Sequence, residues 1–139
     1  MKLFKSKPVT HLNQIYFYLV AVLILRLDLV FLNTMPTGGD MGAHVVPIKY
    51  FIENFALNLQ LNGWSNDWFA GYPLYFFYFP LPAIVTFVLN LVFPYGVAFK
   101  LMVIGSILLT IYSFERLFRN IQSNFSIFGY IAGLTYILT

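Results

Sequence analysis

Cysteine is absent from the 139 residues, which excludes a disulfide framework, a thiolate nucleophile and any cysteine-based metal site. Charge is nearly as scarce. Charged residues make up 9% of the chain against 60% hydrophobic and 20% aromatic, leaving too few polar groups to coat a soluble globule. The formal charge of +3 is dispersed, with no Lys/Arg stripe to neutralise a row of phosphates, so nucleic acid is not an expected partner. Also missing are a GxSxG elbow, an HExxH helix and a phosphate-cradling glycine loop, which removes the common soluble hydrolase and nucleotide sites. No internal repeat or low-complexity linker interrupts the chain.

What remains reads as an all-α, polytopic transmembrane protein in a single membrane domain over 1–139. Lys2, Lys5 and Lys7 precede an apolar run that gives a first span at about 15–33, close to the roughly 20 residues a hydrocarbon core requires. The run is long and lacks a small-residue cleavage site, so it is expected to remain as an anchor. A second span is expected at 74–93, without charged residues but with Pro80 and Pro82 near its aromatic mouth, YPLYFFYFP; the prolines must kink it or delay regular helix. A third is expected at 97–118, with Lys100 near one end extending toward headgroups and Glu115, Arg116 and Arg119 marking the other. The last apolar run, 125–139, is a partial span, and the whole reads as the N-terminal piece of a larger multi-spanning protein.

The lysines place the N-terminus in the cytoplasm and the loop 34–73 outside it, across a plasma (inner) membrane. Three alternating spans then put Arg116 and Arg119 outside as well, against the same charge rule. The N-terminal assignment is the one retained, with a re-entrant second or third span as the contrary reading.

The loop holds most of the polar chemistry. Gly38 and Gly39 suit a sharp exit from the first span before Asp40. Asp40 and His44 are four apart, so a helix starting here would stack carboxylate and imidazole on one face, able to share a metal, a proton or a substrate. Alternatively Asp40 only caps the helix and His44 sits on its exposed face. Beyond Pro47, Ile48, Phe51, Ile52, Phe55 and Leu59 recur at helical spacing. They predict an amphipathic interfacial helix with its phenylalanines among the headgroups, and Lys49 and Glu53 as an ordinary i,i+4 pair.

Further on, Asp67 lies between Trp64 and Trp68, with Tyr72 following Gly71. Aromatic rings pack on sugar C–H faces while a carboxylate accepts hydroxyl hydrogen bonds or recruits a divalent cation. The competing reading for Trp68, Tyr72 and Tyr75 is an interfacial aromatic belt. In the first span, Arg26 and Asp28 point to different faces of a helix and each costs roughly 2.5–3.5 kcal/mol near a bilayer centre. Either they face an interior or an outer cavity as a buried polar relay, or the membrane boundary lies near Leu25 and both are interfacial.

The order of basic N-terminus, first span, GGDxxxH (Gly38 to His44), amphipathic helix, DWxxGYP (Asp67 to Pro73) and proline-bearing second span resembles the start of GT-C type integral membrane glycosyltransferases. It is closest to the bacterial family labelled 6-pyruvoyl-tetrahydropterin synthase-related membrane proteins, a label that implies no pterin chemistry. The resemblance implies sugar transfer from a polyprenyl-linked donor to an acceptor outside the cytoplasm. Asp40 would be the catalytic carboxylate, as general base or acceptor-orienting group. Asp67 would be a second carboxylate for sugar or a divalent cation, and His44, Trp68 and Tyr72 substrate contacts. Membrane lipid, a polyprenyl-linked sugar and a glycan acceptor are the partners this implies. The alternative is a non-catalytic membrane protein, a transporter half or assembly scaffold.

Overall fold

A computed structural model describes residues 11–24, 26–67, 69–121 and 126–138; Lys2, Lys5, Lys7 and Trp68 lie outside them. The fold is mostly helical, as the all-α expectation required, with one small hairpin added. In chain order it comprises α1 (His11–Ile24), α2 (Leu27–Val30), α3 (Met41–Asn54), a 3-10 turn (Ala56–Asn58), β1 (Gly63–Ser65), β2 (Tyr72–Leu74), α4 (Leu81–Asn90), α5 (Tyr95–Ile121) and α6 (Ser126–Leu138). The chain forms two compact units: Asp28–Met102, and the residues up to Leu27 together with those from Val103 onward.

The second of these units packs α1, the later part of α5 and α6 around Ala21, Ile111 and Tyr130. Phe17 stacks on Tyr130 with ring centroids 5.0 Å apart, and Tyr18 meets the same ring edge-on at 6.0 Å. The approach of α6 to α5 is set by two glycines four residues apart. A Cβ on Gly129 would lie 2.6 Å from the Glu115 Cα, and one on Gly133 2.9 Å from the Ile111 Cα, so the pair lets backbones meet as small-xxx-small helix contacts do. Glu115 is 1% exposed and is neutralised by Arg119 one turn later, whose Nε donates to Oε1 at 2.7 Å and whose second nitrogen donates to the same oxygen.

The expected first span is not one helix. Arg26 takes a left-handed backbone (φ 49°) between α1 and α2, which ends regular helix because a non-glycine residue there breaks the right-handed ladder. Arg26 and Asp28 flank this break, exposed, rather than sitting within a continuous helix. The expected second span likewise resolves into β2, a turn and the ten-residue α4. Only α5, 27 residues long, is long and apolar enough among the described residues to cross a membrane.

In the Asp28–Met102 unit, α3 buries Val45, Ile48 and Phe51, followed by Phe55, at the spacing the sequence showed. These phenylalanines do not sit outward: α4 packs against α3, Tyr75 meets Phe51 edge-on at 5.4 Å, and Gly63 presses so close that a Cβ would stand 2.6 Å from the Phe55 ring. Lys49 and Glu53 face outward as an exposed pair 3.8 Å apart, worth a few tenths of a kcal/mol at about the usual value for such pairs. The hairpin is antiparallel, with Trp64 opposite Pro73 and Ser65 opposite Tyr72.

Lys100 turns inward to backbone rather than out to headgroups. Its Nζ donates to the carbonyl of Leu29, in α2, and to that of Leu32 just beyond it, each at 2.7 Å. The Asn33 side chain accepts from the Gly96 N–H at 3.3 Å, and the Tyr95 hydroxyl donates to the Val45 carbonyl. These bonds fix the start of α5 against α3 and the segment leading into it.

Candidate functional site

A cleft of about 530 Å³ opens beside the first turns of α3. Ala43, His44, Pro47 and Ile48 form one wall, the spacing that gathers residues on one helical face. Tyr72 and Leu74 of β2 and the aromatic segment before α4, with Tyr75, Tyr78 and Phe79, form the rest, and Phe69 closes in from the hairpin loop. Pro47 has no N–H to give the Ala43 carbonyl, so a main-chain oxygen on this wall lacks its usual helical donor.

The loop that brings in Phe69 is conformationally unusual. Phe69, Ala70 and Gly71 all have positive φ, at 51°, 59° and 131°, and each non-glycine residue there costs roughly 1–2 kcal/mol. Gly71 is required twice over, because a Cβ would also lie 2.6 Å from the Trp64 ring. Tyr75 is left-handed as well (φ 60°). Burial pushes its phenol above the ordinary range.

His44 and Tyr72 therefore share the cleft, while neither Asp40 nor Asp67 is among the residues lining it. Asp40 occupies the N-cap position of α3, but its side chain makes no capping hydrogen bond; its carbonyl accepts from the Ala43 N–H at 2.9 Å. The carboxylate stands exposed one turn before His44. Asp67 is exposed in the loop between the strands, and no group of three or more His, Asp or Glu able to hold a metal occurs among the described residues. Trp68 falls outside those residues, and Arg26 and Asp28 belong to the helix break rather than the cleft.

The aromatic wall was the part hidden in the sequence. Tyr78 and Phe79 lie in a hydrophobic run that reads as the mouth of a span, and Phe69 reaches the cleft only because the hairpin folds back. Protein-family models, curated proteins and solved structures contain no match to this chain. The chemistry must be read from the cleft itself: ring faces and phenols able to pack on and hydrogen-bond a polyol, and one imidazole able to hold or move a proton.

Proposed function

We propose that the chain is the acceptor-side portion of a membrane glycosyltransferase that moves sugar from a polyprenyl-linked donor to an extracytoplasmic glycan acceptor. The observation that carries this reading is the aromatic cleft lined by His44, Tyr72, Tyr75 and Tyr78, with Asp40 at the N-cap of the same helix, four residues before His44. A sugar held on the ring faces of Tyr72, Tyr75 and Tyr78 would present hydroxyls toward His44. Asp40 would accept the acceptor proton, directly or through a water. Asp67 would contribute from the hairpin loop as a sugar or divalent-cation ligand.

In the full-length protein, Asp40→Asn is expected to lower transfer of labelled sugar from a polyprenyl-phosphate donor by about 10²–10⁴-fold, the usual contribution of a general base, with membrane insertion intact. Unchanged transfer would remove Asp40 from the mechanism.

A second reading is a non-catalytic membrane scaffold, favoured by the position of both carboxylates outside the cleft lining. Under it, substituting Arg26 should disturb function more than substituting Asp40.

A further inference from the structure

The apolar surface of α4 has no covering within its own unit. Ala83 and Thr86 are fully buried on a helix that packs against α3, and the Thr86 hydroxyl is satisfied by donating to the Pro82 carbonyl at 2.7 Å. Elsewhere on α4, Leu81, Val85 and Val88, continued by Val92, form a stripe at i, i+4, i+7 and i+11 that is 64%, 40%, 56% and 78% exposed. A water-facing stripe at that spacing would carry polar residues. Here no Asp, Glu, Lys, Arg or His occurs between Asp67 and Lys100. Just before α4, Phe76, Phe77 and Phe79 are likewise exposed.

Length decides how this surface can meet lipid. The ten residues of α4 reach about 15 Å, half the roughly 30 Å of a hydrocarbon core. α5, at 27 residues, reaches about 40 Å, enough to begin at headgroup level and cross completely. Meanwhile α3, against which α4 packs, turns Lys49 and Glu53 to the outside. The unit thus has one helix with an exposed charged pair and one whose exposed stripe is apolar, a pattern that suits a body resting on a membrane.

We infer that α4 does not cross the bilayer but lies along one leaflet, with the Leu81, Val85 and Val88 stripe and the Phe76–Phe79 turn inserted among headgroups and upper acyl chains. The inference needs a bilayer and nothing of glycosyl transfer, so it survives if that reading fails. With α4 out of the count, α5 is the one helix among the described residues left to cross between Asn90 and Asn120.

These 139 residues carry no cysteine, so an introduced thiol is the one labelling site within them. Asn58→Cys, Asn90→Cys and Asn120→Cys are made singly in the full-length protein and exposed to a membrane-impermeant maleimide in intact cells. The thiols at 58 and 90 are expected to react before permeabilisation and that at 120 only afterwards. Reaction at 90 in step with 120, or a thiol at 90 shielded from both sides, would overturn the inference. Independently, Val88→Cys carrying a fluorophore in lipid vesicles should be quenched more by spin labels near the headgroup than by labels at the chain end; the opposite order would place α4 at the midplane and overturn it.

Discussion

Replacing Gly129 by alanine should destabilise the α1, α5 and α6 packing although alanine is the better helix former. The added Cβ would lie 2.6 Å from the Glu115 Cα, 2.8 Å from the Phe114 carbonyl oxygen and 3.0 Å from the Glu115 nitrogen, against an optimal separation of roughly 3.5–4.0 Å. All three neighbours are backbone, so relief requires a whole helix to move about 1 Å rather than a side chain to rotate. Overpacking costs about 1–3 kcal/mol, and rigid neighbours put this case in the upper half of that range. The gain in helix propensity is only about 1 kcal/mol. The net is a loss of about 1–2 kcal/mol, a rise of about 5–30-fold in the unfolded-to-folded ratio. Gly105→Ala on α5 is the internal control: nothing lies within 4 Å of its Cβ, so it should gain up to about 1 kcal/mol. Thermal unfolding of both variants in the same detergent, followed by circular dichroism, measures the difference. Equal midpoints for the two would refute the close-approach argument.

Three further outcomes follow from features already described. Gly71→Ala should distort the hairpin, since it meets both a φ of 131° and the Trp64 ring; a loss above about 1 kcal/mol and a changed tryptophan emission are expected. Ala70→Gly in the same loop should raise stability by about 1 kcal/mol by removing a left-handed penalty, measured as a higher unfolding midpoint. Arg119→Met strands the buried Glu115 carboxylate and should cost about 3–5 kcal/mol, whereas Arg116→Met, whose partner is the exposed Tyr112 hydroxyl at 2.8 Å, should leave the midpoint nearly unchanged.

The helices that the sequence announced clearly are those whose signal is local. The recurrence of Ile48, Phe51 and Phe55 marks α3, and the long apolar run after Pro94 marks α5. What periodicity could not convey is the covering. Phe51 and Phe55 are enclosed by Tyr75, Gly63 and α4, all of them well downstream in the chain, so an amphipathic face looked like a membrane-facing one. Hydropathy failed similarly over 74–93, where β2, a turn and a short helix share one apolar composition. The break at Arg26 has no glycine or proline to announce it. At the site, His44 and Tyr72 stood out because they are polar groups in a glycine-punctuated loop. Tyr78 and Phe79 did not, being aromatics within a hydrophobic run. The spacing of Gly129 and Gly133 was legible in principle; its meaning depended on knowing which helix lay opposite.

Pro47 leaves α3 one main-chain hydrogen bond short in its second turn, so the helix there is held by the packing of Val45, Ile48 and Phe51 more than by its own ladder. Pro47→Ala would supply the missing donor and let α3 close that turn by itself.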